Sequence, residues 1–131
     1  MSGDPGIGKT TTARLLAMEY NYSVTEFNAS DVRNKSGVTL LESGSYNLDL
    51  FHNLTRPLII MDEVDGMSTG DRGGVAAIIN MLKQTKIPVI CICNDRNSEK
   101  IRSLATHCLD VKFHKPNKSL LVRRLKEILI A

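Results

Sequence analysis

Residues 3–10 read GDPGIGKT, and their spacing, G-x-x-x-x-G-K-T, decides the fold of this chain. In such a stretch, glycines let backbone N–H groups turn inward around phosphate oxygens. The lysine supplies positive charge for the β- and γ-phosphates, and the threonine hydroxyl can bind Mg²⁺. A helix that begins near Lys9 would point its positive dipole end at the same anion. The residues that this motif places at a bound nucleotide are Gly3, Asp4, Pro5, Gly6, Ile7, Gly8, Lys9, Thr10 and Thr11.

A second motif supplies the acidic partner of this loop. Residues 58–63 read LIIMDE, so four apolar residues run directly into two carboxylates. This pattern is typical of a buried parallel strand that delivers acidic side chains at its carboxyl end. We expect Thr10 and Asp62 to hold Mg²⁺, and Glu63 to act as the general base on an attacking water. On these residues alone, the alternative is a core strand that ends in two solvated acids.

A neutral amide, Asn94, is the third candidate for the site. It follows residues 88–93, PVICIC, which have the composition of another buried strand. In a parallel sheet it would lie at the same carboxyl edge as the loop and the acidic pair. There an amide can hydrogen-bond the γ-phosphate or the attacking water, and those bonds change after hydrolysis. We therefore predict a catalytic sensor role for Asn94; the alternative is an asparagine that simply ends a strand.

Composition excludes several other classes of function. The 131 residues are enough for one domain, and no apolar run approaches the length of a membrane span, so we expect no membrane partner. A net charge of +3 is too small to indicate nucleic-acid binding by itself. Cys91 and Cys93 alternate as in a strand and Cys108 is remote, which indicates packed thiols rather than a zinc site. The histidines lack the spacing of metal ligands.

The order of elements is that of an α/β protein. The order of helices and strands indicates a parallel sheet with right-handed crossovers. Combined with the phosphate-loop motif, it leads us to expect a P-loop NTPase core with three α/β/α layers. Only Met1 and Ser2 precede the phosphate loop, so we expect the strand before it to be missing and its slot in the sheet to be empty. We also expect truncation at both ends. The predicted helices cover residues 9–20, 35–43, 75–84, 98–105 and 119–130, the strands 23–27, 88–93, 109–113 and the stretch from 57 to the acids, and the loops 44–55 and 66–74.

Together these motifs resemble an AAA+ ATPase of the clamp-loader clade. Further blocks narrow the resemblance to the large subunit of eukaryotic replication factor C, and they extend over nearly the whole chain. The phosphate loop is shared by many NTPases, whereas the other blocks in combination are specific to this family. These blocks are residues 27–31 (FNASD), 60–67 (IMDEVDGM), 71–74 (DRGG), 92–97 (ICNDRN) and 100–104 (KIRSL).

The resemblance implies an ATP- and Mg²⁺-dependent subunit that acts in DNA replication and repair in the nucleus. Its implied partners are the sliding clamp, the small clamp-loader subunits of a hetero-oligomer and primer–template DNA. Residues 1–114 would form the AAA+ nucleotide-binding core, without the strand before the phosphate loop, and residues 115–131 would begin the helical lid domain. Arg72 lies in the region that follows the DNA backbone in family members. It is therefore a candidate DNA contact, with a solvated loop charge as the alternative.

Two departures from the family pattern leave other functions open. Asp4 stands where the family usually has proline, and a carboxylate there should weaken phosphate binding unless it points to solvent. Residues 106–108, THC, replace the Ser-Arg-Cys motif of the small subunits, so the arginine that reaches a neighbour's ATP is absent. These departures favour, slightly, a nucleotide-dependent assembly module with little or no hydrolysis. A degenerate fragment without a stable fold, and a subunit of the alternative loader used in cohesion, are the other readings; residues 71–74 argue against the latter.

Overall fold

The computed structural model describes residues 1–28, 56–66 and 72–130. The helix expected over residues 35–43 and the loop expected over residues 44–55 lie outside the described residues. The helices are α1 (Lys9–Glu19), α2 (Arg72–Gln84), α3 (Glu99–Ala105) and α4 (Lys118–Ile130), with a short 3₁₀ turn at Val64–Gly66. The strands are β1 (Tyr22–Asn28), β2 (Arg56–Asp62) and β3 (Val89–Cys91).

The three strands form one parallel sheet in the order β1-β2-β3. The register pairs Asn28 with Asp62 at the carboxyl ends of β1 and β2, and Met61 with Cys91 at the end of β3. Because parallel strands share one direction, the residues that follow them emerge at one edge of the sheet. The register therefore places the acidic pair and the segment after β3 at a common edge.

Met1 and Ser2 lie beside β3, in the slot that we expected to be empty. The N-terminal ammonium of Met1 donates to the carbonyl oxygen of Cys91 at 2.7 Å, and the N–H of Cys93 donates to the Met1 carbonyl oxygen at 3.1 Å. Ser2 forms parallel bridges to Cys93 on one side and to Lys112 on the other. Two residues therefore extend the sheet beyond β3, even though they are too few to be a full strand.

The strand expected over residues 88–93 is shorter, Val89–Cys91, and two other boundaries differ more. Among the described residues, the segment 109–113 joins the sheet only through the bridge between Lys112 and Ser2. It does not form a full strand because the segment at Ser2 is too short to pair with all of it. Helix α2 begins at Arg72 and so includes Gly73 and Gly74, which we had assigned to a loop. Helix packing outweighs the low helix propensity of the glycines, since Val75 and Ile78 of the same helix are buried in the core.

The core lies on both faces of the sheet. Ile59 and Met61 of β2 belong to one cluster with the buried residues of α2 and α3, whereas Leu58 and Ile60 belong to a second cluster with Ala13 of α1. Alternate residues of a strand point to opposite faces, so β2 contributes to both clusters. Helices therefore cover the sheet on both sides, and the predicted three-layer α/β/α fold is confirmed.

Helix α4 differs from the other helices because every one of its residues is exposed. Its apolar side chains include Leu121 and Leu125, which are 45% and 56% exposed. Within the described ranges, no helix combines the length and the apolar character needed to cross a bilayer.

The central position of Ile60 yields a stability prediction. Its side chain is fully buried between β2 and α1, so Ile60→Ala removes buried methyl groups and leaves a cavity. We expect the free energy of unfolding to fall by about 2–5 kcal/mol, measured by urea denaturation. Leu15→Ala is the matched control because Leu15 lies on α1 but is 59% exposed. It should change stability by less than about 0.5 kcal/mol, and equal losses in both variants would contradict this packing.

Candidate functional site

The phosphate loop is held in a conformation that requires glycine. Gly6 has φ 73° and Gly8 has φ 91°, both in the left-handed region that side chains disfavour. A Cβ atom built on either residue meets nothing within 4 Å, so backbone conformation rather than crowding calls for glycine at these positions. Gly8 is also the N-cap of α1, which places the N-terminal end of that helix at the loop. This arrangement suits an anion.

Lys9 carries the main positive charge of the site, and its side chain is only 6% exposed. Its Nζ donates to the carbonyl oxygens of Gly3 and Asp4 at 2.7 and 2.8 Å, and to Oδ1 of Asn94 at 2.9 Å. All three acceptors are neutral oxygens. A buried ammonium that is matched only by neutral dipoles is an incomplete arrangement, because burial penalises charge without a counter-ion. The site therefore fits a negatively charged ligand such as a phosphate.

Thr10 and Asp62 form the second direct contact between the loop and the sheet edge. The hydroxyl of Thr10 donates to Oδ2 of Asp62 at 2.7 Å, and Oδ1 of Asp62 accepts the N–H of Glu63 at 2.8 Å. A hydroxyl oxygen and a carboxylate oxygen side by side are the hard donors that Mg²⁺ prefers. The residues present therefore fit the metal that the motif predicts.

Glu63 adopts an unusual backbone conformation for a non-glycine residue, with φ 54°. Its carboxylate is exposed, and Oε2 accepts a hydrogen bond from Nδ2 of Asn28 at 3.0 Å. Asn28 is the last residue of β1 and pairs with Asp62 across the ladder. Asn28 belongs to the FNASD block of residues 27–31, and that pattern alone indicates no role for it. Its position at a strand end, at the same edge as the acids, was the available signal.

Asn94 is positioned by a residue that sequence analysis did not single out, Asp65. Oδ2 of Asp65 accepts the N–H groups of both Asn94 and Asp95 at 2.9 Å. The turn that carries Asp65 is itself tied to the sheet, since the N–H of Val64 donates to the carbonyl oxygen of Ile92 at 3.1 Å. The acidic motif therefore has two functions: Asp62 and Glu63 provide carboxylates at the site, and Asp65 holds the backbone of the Asn94 loop in place.

Asp4 turns its carboxylate toward the segment before α4. Oδ2 of Asp4 lies 2.9 Å from Nζ of Lys115, and both side chains are exposed. The hydrogen bond and the charge of Lys115 hold the pKa of Asp4 below its ordinary value, and the same contact raises the pKa of Lys115. The Asp4 carboxylate is thus paired with the Lys115 ammonium, which lies outside the phosphate loop.

The structure brings together most of the residues that the sequence predicts for the site. Lys9 contacts Asn94, Thr10 contacts Asp62, and Glu63 follows Asp62 directly. Arg72 begins α2, but its side chain lies outside what the structure describes. In the described part of the chain, no group of three or more His, Cys, Asp or Glu side chains is arranged as a separate metal site.

Comparison with protein families gives a match over most of the chain. The profile of the family described as "ATPase family associated with various cellular activities (AAA)" matches residues 1–117. These residues include the phosphate loop, the acidic motif and Asn94.

Individual relatives are similar over nearly the same length. Replication factor C subunit 1 of Arabidopsis thaliana is 42% identical over 98% of this chain and 15% of its own length. Replication factor C subunit 1 of Homo sapiens is 46% identical over 88% of this chain and 11% of its own length. Replication factor C large subunit of Methanocorpusculum labreanum is 41% identical over 97% of this chain and 27% of its own length. The chain thus spans only 11–27% of these relatives.

The contacts of Asp65 lead to a prediction about local order. Asp65→Ala removes the acceptor of two backbone N–H groups, so the amides of Asn94 and Asp95 should exchange with solvent about tenfold faster. Hydrogen exchange measured by NMR reports both amides separately.

Asp95→Ala is the matched control for this measurement, since Oδ1 of Asp95 accepts the N–H of Asn97 at 2.8 Å. It should accelerate exchange at Asn97 and leave the amide of Asn94 protected. Unchanged protection of Asn94 in Asp65→Ala would show that another group orders this loop.

Proposed function

The chain belongs to the ATPase family associated with various cellular activities (AAA), and we propose that it binds and hydrolyses ATP as a subunit of the DNA sliding-clamp loader. The observation that carries the ATP site is the buried Lys9 ammonium, whose acceptors within the described residues are all neutral oxygens. Phosphate oxygens would provide the missing negative charge and would be cradled by the N–H groups of residues 6–11. Bound Mg²⁺ would neutralise charge on the phosphates, with Thr10 and Asp62 holding it.

The remaining residues have separate roles in this proposal. Glu63 accepts a proton from the attacking water as general base, and its exposed carboxylate lies at the open side of the site. Asn94 orients the water or a γ-phosphate oxygen through its amide, while its present contact with Lys9 keeps that amide at the phosphate end of the site. Asp65 acts on Asn94 by positioning its backbone.

The clamp-loader assignment is supported by the relatives, which bear the name replication factor C. This name favours the replicative loader over the cohesion-linked one. We propose the sliding clamp, the small loader subunits and primer–template DNA as partners, in DNA replication and repair in the nucleus. Residues 1–114 would form the core and residues 115–131 the start of the lid domain, and Arg72 is the candidate for a DNA phosphate contact.

Two variants test the ATP site in the assembled protein. Lys9→Ala should weaken ATP binding by about 100-fold, because the phosphates lose a buried charge-assisted hydrogen bond. Glu63→Gln should leave ATP affinity unchanged and lower turnover by about 100-fold or more, because the amide cannot accept the proton. Fluorescent-nucleotide titration and phosphate release measure the two quantities.

Met18→Ala is the control for both variants, since Met18 lies on α1 and is 73% exposed. It should change neither affinity nor turnover. An unchanged affinity in Lys9→Ala would reject the phosphate site. Turnover that survives Glu63→Gln would reject the general base, and a wild-type assembly that needs ATP without hydrolysing it would favour the alternative assembly module.

The Asp4–Lys115 ion pair predicts opposite changes in ATP affinity when its two partners are substituted. Because the pKa of Asp4 is lowered by Lys115, its carboxylate stays charged through neutral pH. Asp4→Asn removes a negative charge from the phosphate loop and should tighten ATP binding about two- to fivefold at low salt. Lys115→Ala leaves that charge unpaired and should weaken binding by a similar factor.

The double variant separates the two effects. Asp4→Asn combined with Lys115→Ala should bind ATP more tightly than Lys115→Ala alone, since the unpaired carboxylate is gone. Screening should reduce all three differences in high salt. Equal weakening by Lys115→Ala in the presence and absence of the Asp4 carboxylate would show that Lys115 acts on the nucleotide by another route.

A further inference from the structure

Backbone contacts join the start of the phosphate loop to the segment that precedes α4. The N–H of Ser2 donates to the carbonyl oxygen of Val111 at 2.9 Å, and the N–H of Phe113 donates to the Ser2 carbonyl oxygen at 2.7 Å. The approach is closest at Gly3, where an added Cβ atom would lie only 2.5 Å from the carbonyl oxygen of Phe113. The two stretches of chain are therefore in direct contact.

Asp4 extends this contact and links the segment to the lysine of the phosphate loop. Its carbonyl oxygen accepts a hydrogen bond from Nζ of Lys9 at 2.8 Å, and its carboxylate Oδ2 lies 2.9 Å from Nζ of Lys115. The hydrogen bond and the charge of Lys115 lower the pKa of Asp4, and the charge of Lys9 acts in the same direction. Both ammonium groups thus contact one residue, well inside the Debye length of about 10 Å at 0.1 M salt.

Helix α4 depends on this segment for its position. None of its residues is buried, in contrast to α1, so α4 has no buried face that fixes it on the sheet. Only Pro116 and Asn117 separate Lys115 from the first residue of the helix, Lys118. Proline fixes its own φ and restricts the residue before it, so this link is short and stiff. A constraint on Lys115 is therefore also a constraint on the start of α4.

The Lys115 ammonium can interact with a second anion. An ammonium group carries three N–H donors, and the Lys115 side chain is 73% exposed in its pair with Asp4. A triphosphate at the phosphate loop would add negative charge beside the Asp4 carboxylate. The ammonium would then be attracted by two anions instead of one.

We propose that Lys115 couples the nucleotide site to α4: a triphosphate held by the phosphate loop strengthens the attraction on the Lys115 ammonium and thereby fixes the segment that leads into α4. This inference rests on the proposed ATP site and adds a positioning residue that lies outside its motifs. Asp4, at a position where the family usually has proline, keeps that ammonium at the loop. Because linkage is reciprocal, fixing the segment also favours the bound nucleotide.

The test is hydrogen exchange, measured by mass spectrometry on the intact protein in its assembly, with and without a saturating concentration of the β,γ-imido analogue of ATP. In the wild type the analogue should slow exchange over residues 114–121 by about two- to fivefold, the range expected for an exposed charge pair, and less in high salt. Lys115→Ala should remove this slowing at saturation, and Lys115→Arg should retain it because the cation is still present.

Lys118→Ala serves as the control, because it removes the same charge from an exposed lysine at the start of α4. It should keep the slowing. Slowing that survives Lys115→Ala, or that is lost equally in Lys118→Ala, would overturn the proposal.

A fluorescent-nucleotide titration of the same samples separates this proposal from the ATP site itself. If the analogue binds to the wild type and exchange over residues 114–121 does not change, the coupling is wrong and the ATP site stands. If the analogue does not bind to the wild type, both are wrong.

Discussion

The ammonium group of Lys9 is the charge around which the site is arranged. It is almost fully buried and donates to two carbonyl oxygens of its own loop and to the amide of Asn94. These contacts hold the loop curled over the carboxyl edge of the sheet. Because neutral dipoles compensate a buried cation incompletely, the same contacts leave the site suited to an anion. The Lys9 side chain thus both holds the phosphate loop in its conformation and makes the site favourable for an anionic ligand.

The sheet makes this arrangement possible through its register. Parallel pairing of β1, β2 and β3 places the carboxyl end of each strand at one edge, so that Asn28, Asp62 and the segment leading to Asn94 emerge at that edge although they are distant in sequence. The two core clusters then fix the sheet between α1 on one side and α2 and α3 on the other. Rigid layers hold polar groups at distances that isolated loops could not maintain.

Departures from the family pattern are local and have physical explanations. Asp4 carries a charge that a phosphate loop should avoid, and Lys115 pairs with it outside the loop. Met1 and Ser2 extend the sheet beyond β3, and the backbone of Ser2 bridges Cys93 on one side and Lys112 on the other. In the first case a carboxylate is paired with an ammonium group, and in the second case backbone N–H and C=O groups find hydrogen-bond partners. In both cases the fold brings the partner close.

The sequence alone was enough to predict three parts of the site: the phosphate loop at residues 3–10, the buried strand that ends in Asp62 and Glu63, and the strand before Asn94. Each is a local pattern with a local physical cause: glycine conformations, apolar burial and parallel-strand polarity. The helix starting at Arg72 and the reduced strand at residues 109–113 could not be predicted, because packing decided both boundaries. Likewise, only tertiary structure could join Asp65 to the Asn94 loop and Asp4 to Lys115. Those contacts depend on the path of the chain between distant residues, which no short-range pattern encodes.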